Sequence, residues 1–423
     1  MRIIVIGAGI VGVSTAHFLS EAGAEVLLVD RQPGPGLETS ARNGSLLHPS
    51  LVEPWNSPGI LRVMLRNLGK EDSAMLLRLR ALPSLLGWGL EFVRQSSPQR
   101  FERNALRNTR LAQYSLRQYA EIRARTGITY DSYRRGTLTL FRDEPSFRAA
   151  TQWYRGLERV GLEVHTLDPR AAIAQEPALE PIVRELVGAT YAPHDEGGDP
   201  LAYCKALAQS LASRGVTCRF DTPVTRLIAA GGSVSGIELA SGEQLLADRC
   251  VLAAGSYSLL LARSAGLELP IRPAKGYSLT LPRDDSGLAP RTPIADSSLH
   301  MAVIPVGEDR LRVAGTAEFT GFDTTINPAR IANLMGLLRR VYPRYAETVR
   351  NVDPQGWVGL RPMCADGVPL IGRSRVEHLW LNVGHGHTGW TLGAGAGRLA
   401  ADLVLGRPSE IDAGDYSPAR FGC

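Results

Sequence analysis

The sequence predicts an α/β chain: a Rossmann-like, doubly wound dinucleotide-binding domain with a second, α+β domain inserted into it. Three observations predict this. A short apolar strand, Ile3 to Ile6, runs straight into Gly7-Ala8-Gly9-Ile10-Val11-Gly12, then an amphipathic helix, a second strand Val26 to Val29, and the acid Asp30. A buried-strand pattern returns at Arg249 to Gly255, and a last strand, Leu379 to Val383, leads through a Gly/His loop into a helix of small residues, Thr391 to Leu405. Between these units lie helical and alternating segments of their own. The expected division is therefore 1–60, 195–268 and 352–423 for the dinucleotide domain, with 61–194 and 269–351 forming the inserted one.

In the opening unit each glycine has its own task. Gly7 makes the tight turn out of the strand, Gly9 keeps side-chain atoms away from a pyrophosphate, and Gly12 lets the helix lie close on the sheet. The helix N-terminus, at Ile10 and Val11, offers free N–H groups and a positive dipole end to phosphates. Asp30, eighteen residues beyond Gly12, is placed to accept hydrogen bonds from a ribose hydroxyl pair.

Further along, Leu61, Val63, Met64, Leu65 and Leu68, then Met75-Leu76-Leu77, Leu79 and Leu82, recur by threes and fours. Residues 59–125 thus read as helical, interrupted at Pro83 and at Gly87 and Gly89. Arg62, Arg66, Arg78 and Arg80 interleave with the apolar residues. A helical layer over the second domain is the preferred reading, with a membrane-leaning amphipathic surface as the other. At Gly136 to Phe141 the period changes to two, which predicts a strand. A helix follows at about 200–214, then a hairpin in which Val234 to Leu239 turns through Ser241-Gly242 into Gln244 to Leu246. The strand Arg249 to Gly255 ends in small residues that suit close approach of a nucleotide. Strands at Tyr277 to Leu281, His300 to Ile304 and Leu311 to Ala314 precede a helix at Pro328 to Tyr342.

Composition narrows the function classes. With 423 residues and 44% hydrophobic content the chain can build two substantial cores. Of its 47 cationic side chains only Lys70, Lys205 and Lys275 are lysines, and the arginines are spread along the chain without interleaved aromatics. That pattern argues against nucleic acid. The five cysteines show no metal-ligand spacing and no disulfide framework, so no metal site is expected and the thiols are read as reduced. A strand begins at residue 3, and no run of about 18 apolar residues occurs. The expected location is cytoplasmic, or peripheral on the cytoplasmic face of the inner membrane.

Nine signatures, in order along nearly the whole length, resemble the D-amino-acid oxidase-like superfamily of FAD-dependent oxidoreductases. Within it the chain is most similar to the bacterial D-amino acid dehydrogenase small-subunit family. They are Gly7 to Gly23, Glu38 to Gly44, Pro54 to Gly59, Arg135 to Phe141, Asp195 to Pro200, Gly255 to Ser258, Lys275 to Thr280, Gly359 to Met363 and Gly384 to Trp390. The resemblance implies a substrate domain built on a large mixed β-sheet and non-covalent FAD. The implied reaction is oxidative deamination of a D-amino acid by hydride transfer from Cα to flavin N5. Hydrolysis then yields a 2-oxo acid and ammonium, and the electrons go to a quinone or other carrier. No second G-x-G-x-x-G follows a strand, which favours direct flavin reduction by the substrate over a nicotinamide donor. A secondary amine such as cis-4-hydroxy-D-proline, sarcosine or glycine is the alternative substrate, and a non-catalytic flavin-binding subunit of a membrane dehydrogenase complex the alternative of another class. Oligomerisation and peripheral membrane association stay open.

The resemblance also implies residue roles. Gly7, Gly9, Ile10, Val11 and Gly12 would lie under the pyrophosphate, with Thr39 and Ser40 as hydroxyl donors, although turn and cap roles for those two hydroxyls stand equally. Asp30 would take the adenosine ribose and Arg31 flank the adenine, whose ring Val224 holds through its backbone. Ala253, Ala254 and Gly255 would run along the dinucleotide, and Asn43 and Gly44 beside the isoalloxazine. A helix beginning near Thr388 would direct its dipole at the flavin, which brings Gly386, Thr388, Gly389, Trp390 and Thr391 close to it. Arg361 resembles a carboxylate-binding arginine, suited by its two parallel donors, and Tyr277 a second donor to the same carboxylate. His48 either shapes the side-chain pocket and the amine's pKa or is structural. His385 and His387 read as structural or flavin-lining and not as metal ligands. Cys364 falls five residues from the position where related sarcosine oxidases attach flavin, so no covalent link is implied.

Overall fold

The computed structural model describes residues 1–66, 69–70, 73–283 and 287–423, so Leu68 of the apolar series lies outside the described residues. Six strands form one sheet in the order Leu370–Arg373, Leu379–Val383, Arg249–Leu252, Arg2–Ile6, Glu25–Val29 and Thr217–Arg219. All neighbours are parallel except the first pair. Ile3, Val5 and Leu28 point to one face, where they pack with Val13, Leu19, Leu207, Leu211 and Val404 of the helices Ile10–Glu21, Pro200–Ser213 and Gly389–Leu405. Ile4, Ile6 and Leu27 point to the other, against Leu227 and Ile237 of the three-stranded meander Val224–Ala230, Ser233–Leu239, Gln244–Leu246. Burial on both faces explains why these parallel strands read as continuous apolar runs.

The small residues of the last helix let three helices converge. A Cβ at Gly397 would lie 2.8 Å from Ser14, and one at Gly395 2.9 Å from Ser115. Ser14 belongs to the first helix and Ser115 to the 29-residue helix Pro98–Thr126.

A nine-stranded sheet makes up the second layer system. Its order is Gln355–Cys364, Ile271–Pro282, Arg310–Phe319, Met301–Val306, Ile294–Asp296, Thr137–Phe141, Gly188–Ala192 and His165–Leu167, with Met75–Leu77 added alongside Arg310–Phe319. Mixed parallel and antiparallel pairing is present. Helix Pro328–Val341 covers one face through Leu334, Leu338 and Val341.

Three expectations change. Met75–Leu77 is a strand, paired in parallel register from Ala317↔Met75 to Phe319↔Leu77. A three-residue strand is too short for its periodicity to be distinguished from a helical turn. Pro83 does not interrupt a helix but opens one, Leu82–Arg94, in whose first turn its missing N–H costs nothing, and Gly87 and Gly89 lie inside it. The domain boundaries also shift: Gln355–Cys364 is an edge strand of the large sheet, and Pro98–Thr126 packs Leu111, Ala112 and Tyr114 against Leu392, Ala396 and Leu399 of the last helix.

Candidate active site

One cavity of about 1000 Å³ runs from the end of the first strand to the face of the large sheet. At its dinucleotide end the strand–helix turn leaves no room for side chains. Gly7 has φ +105°, and a Cβ there would stand 2.6 Å from the Ala253 carbonyl oxygen; one at Gly12 would stand 1.7 Å from the Gly7 carbonyl oxygen. Gly9, Ile10 and Val11 line the cavity, whereas Gly12 lies behind the lining and permits the close packing that shapes it. The Ile10 amide donates to Ser40 Oγ at 3.2 Å, so Ser40 covers one free N–H of the helix N-terminus. Thr39 also lines the cavity, but its hydroxyl donates to the Leu360 carbonyl at 3.0 Å.

Asp30 is fixed by backbone donors: the Ala8 amide reaches Oδ2 at 2.6 Å and the Gln32 amide reaches Oδ1 at 2.8 Å. Each oxygen keeps a lone pair for a further donor. Burial raises the carboxyl pKa against the lowering by those two amides. Arg31 lies 3.6 Å over the Tyr257 ring and pairs with Glu38. Val224, Ala253, Ala254 and Gly255 continue the wall.

At the other end Asn43 and Gly44 line the cavity on a loop fastened from both sides. Asn43 Oδ1 accepts from the Ser45 amide at 2.9 Å, its carbonyl accepts from Arg312 Nη1 at 3.2 Å, and Ser278 Oγ donates to the Arg42 carbonyl at 2.7 Å. Gly386, Gly389 and Trp390 line the cavity, and the Trp390 Nε1 and His385 Nε2 are buried without a partner among the described residues. Thr388 and Thr391 are set behind this wall. Thr388 bonds the His385 carbonyl, and Thr391 donates to the Leu46 carbonyl at 3.3 Å while accepting from the His48 amide at 3.2 Å.

Arg361, His48, His387 and Trp55 meet in the same cavity. Arg361 comes from the edge strand Gln355–Cys364, where its guanidinium lies across Gly276 of the next strand; a Cβ at Gly276 would be 2.3 Å from Arg361 Cζ. Arg361 Nη1 donates to the Thr316 carbonyl at 3.1 Å, and Cζ stands 5.3 Å from the Trp55 ring. The guanidinium has no carboxylate within ion-pair reach among the described residues, and burial lowers its pKa to about 10. His387 stacks on Trp55 at 5.1 Å. Burial lowers His387 to about 3, reinforced by His48 and Arg361, and lowers His48 to about 4, so both rings are neutral at neutral pH.

Tyr277 also lines the cavity, but its hydroxyl is engaged with Glu318, so the structure does not bring it to Arg361 as a second donor. Along Ile271–Pro282 successive side chains alternate between faces. Gly276 meets Arg361, whereas Tyr277 packs with Leu334 and Leu338 under the covering helix. Its hydroxyl donates to Glu318 Oε2 at 2.7 Å in a buried cluster with Lys275 and Arg78. Trp55, Gly276 and Thr316 were given no role from the sequence, although Trp55 and Gly276 stand inside signature segments.

The lining fits a dinucleotide with a flat ring at its far end. Side-chain-free Gly7 and Gly9, a helix N-terminus, a doubly anchored Asp30 and two unpartnered buried N–H or ring nitrogen positions are all arranged along one cavity. Glycines 7, 9, 44, 255 and 386, with Asp30, Asn43 and the Gly389 helix start, are the groups that would hold it. No group of three or more His, Cys, Asp or Glu residues able to hold a metal occurs among the described residues. Cys364 is buried, and burial pushes its thiol well up.

Comparison with known proteins adds the chemistry. The family model described as FAD dependent oxidoreductase (DAO) matches residues 2–403. A D-amino acid dehydrogenase of Paramagnetospirillum magneticum is 44% identical over 422 residues, covering 100% of this chain and 99% of that protein. One from Methylobacterium nodulans is 41% identical over 421 residues, with coverage of 100% and 99%. Among solved structures, an L-proline dehydrogenase from P. horikoshii superposes with a TM-score of 0.78 at 17% identity, covering 99% of this chain and 97% of that one. A glycine oxidase from Geobacillus kaustophilus superposes with a TM-score of 0.74 at 22% identity, covering 98% of each chain. At these identities the two structures establish the shared fold.

Proposed function

The chain belongs to the DAO family of FAD-dependent oxidoreductases, and from that premise we propose that it oxidises free D-amino acids to 2-oxo acids and ammonium and passes the electrons to a quinone. The observation that carries the reading is Arg361: a half-buried guanidinium on the cavity wall, with no carboxylate of the protein's own beside it among the described residues. An unpaired, partly desolvated cation of this kind calls for an anionic ligand, and its two parallel donors match a carboxylate. Full-length relatives named D-amino acid dehydrogenase support the D-amino acid class.

Arg361 binds the α-carboxylate, and the Thr316 carbonyl and the Trp55 ring hold its fork in place. His48 and His387, both neutral, present ring nitrogens where the substrate amine must give up its proton. Trp55 and His387 together present an apolar, stacked wall that keeps water from the reacting carbon. FAD, when bound, supplies the two-electron acceptor for the Cα–H bond. The product imino acid reacts with water to give the 2-oxo acid and ammonium. Position and electrostatics are thus the protein's contribution.

A lipid-borne acceptor is supported by the surface beside the cavity. Ile60 and Val63 line the cavity, and the adjoining segment exposes Leu79, Leu86 and Leu90 at 64%, 66% and 74%. Helix Leu82–Arg94 already buries Leu85, Trp88 and Phe92 on its inner side, so its outer leucines are surplus to packing. No helix among the described residues is long and apolar enough to cross a membrane. The substrate reading is tested by incubating the flavin-loaded enzyme with an artificial acceptor and D-alanine or L-alanine. Pyruvate and ammonium in equal amounts from the D-enantiomer support it; turnover of sarcosine or cis-4-hydroxy-D-proline alone replaces it by a secondary-amine specificity.

A further inference from the structure

Four acids line the cavity: Asp30, Glu38, Glu53 and Asp296. Three are accounted for. Asp30 accepts two backbone amides, Glu38 pairs with Arg31, and Asp296 pairs with Arg142. Glu53 accepts a hydrogen bond from the Trp153 indole Nε1 at 2.7 Å and is also held by its own backbone amide, but has no cationic partner among the described residues. It stands two residues before Trp55, whose ring lies 5.3 Å from Arg361 Cζ. The Cα atoms of Glu53 and Trp55 are therefore at most about 7 Å apart. One region of the cavity thus carries a cation without a carboxylate and a carboxylate without a cation.

A partly desolvated carboxylate lacking a counter-ion is unfavourable, and desolvation indeed raises the Glu53 pKa. A cationic ligand would remove that penalty. Leu51 and Phe101 line the cavity with Glu53 and offer apolar walls for a methylene stem. The substrate α-amine is a poor match for Glu53, since it must be neutral when Cα is oxidised.

We propose that Glu53 is a specificity-determining residue that receives the distal cationic group of a basic D-amino acid, lysine- or arginine-like, while Arg361 holds its α-carboxylate. The proposal rests on the D-amino acid reading above and narrows it to substrates with a positively charged side chain. Glu53 takes no part in the oxidation itself. Its effect is a difference in affinity between charged and neutral side chains of equal shape.

D-Arginine and D-citrulline have nearly the same shape and differ in charge, so the ratio of their kcat/KM values isolates the contact. In the wild-type holoenzyme the ratio should favour D-arginine, and Glu53→Gln should lower it roughly 10- to 100-fold, the range of a lost hydrogen-bonded charge contact. Glutamine keeps an acceptor for Trp153, so a packing role alone would depress both substrates equally. An unchanged ratio in Glu53→Gln, or a wild-type preference for D-citrulline, overturns the proposal. Oxidation of D-alanine but of neither of these also overturns the proposal; if no D-amino acid, D-alanine included, is oxidised, the underlying reading fails, and agmatine decides on Glu53 separately. It should raise the Tm of the wild-type holoenzyme more than that of Glu53→Gln, and equal shifts would overturn the cationic subsite.

Discussion

Arg361 and Tyr277 come from adjacent strands of one sheet and both line the cavity, but the Tyr277 hydroxyl is bound to Glu318 whereas Arg361 has no carboxylate partner among the described residues. Arg361 faces the cavity, and Arg361→Lys should raise KM for a D-amino acid by about 10- to 100-fold, since lysine cannot present two parallel donors. Flavin content should be unchanged, as read from the visible spectrum; unaltered KM would remove Arg361 from substrate binding. Tyr277→Phe should do the reverse. It strips a 2.7 Å hydrogen bond from buried Glu318 and should lower unfolding stability by about 1–3 kcal/mol in chemical denaturation, with KM within a few fold of wild type. The Gly-Leu-Arg-Pro-Met context singled out Arg361 in the sequence, and the structure places it on the cavity wall. The engagement of the Tyr277 hydroxyl with Glu318 was not legible, because alternation tells which residues share a face but not which partner a side chain meets. Glu53 and Trp55 sit on an irregular stretch with no period to read, so their place on the cavity wall emerges only from the tertiary fold.

At the scale of elements, the strand–glycine–helix–strand unit was fully legible, because its sequence carries its own steric logic. Each glycine answers to a close approach that the structure displays. Gly12→Ala tests this: its Cβ would stand 1.7 Å from the Gly7 carbonyl oxygen, so the turn and the helix must part. The expected result is loss of bound flavin together with a fall in Tm of several degrees, measured by absorbance and thermal melting. Retention of both would mean that the turn is not closely packed. The region 60–94 was less legible. Its short strand, proline-initiated helix and outward leucines share one apolar texture, and only pairing with Arg310–Phe319 and packing around Trp88 separate them.

Across the whole molecule, the two sheets bring the glycine-rich turn with Asp30 and the Arg361 guanidinium to the walls of one cavity. Sequence order showed that the chain begins and ends in the dinucleotide domain, but the edge strand Gln355–Cys364 and the long helix Pro98–Thr126 cross the expected boundaries. Strand pairing and helix packing at such distances leave no local trace in the sequence. If the exposed leucines face lipid, replacing Leu86 and Leu90 by Glu should cut co-flotation with anionic phospholipid vesicles several-fold while leaving turnover with a water-soluble acceptor intact. Equal flotation would mean that this face does not dock on lipid. The most direct test of the central claim is an anaerobic titration of the flavin-loaded protein with single D-amino acids and their L-enantiomers, followed in the visible spectrum. The account predicts stoichiometric loss of the oxidised flavin band with the D-enantiomers alone; a flavin that stays oxidised with every D-amino acid, or that is bleached equally by the L-forms, would contradict it.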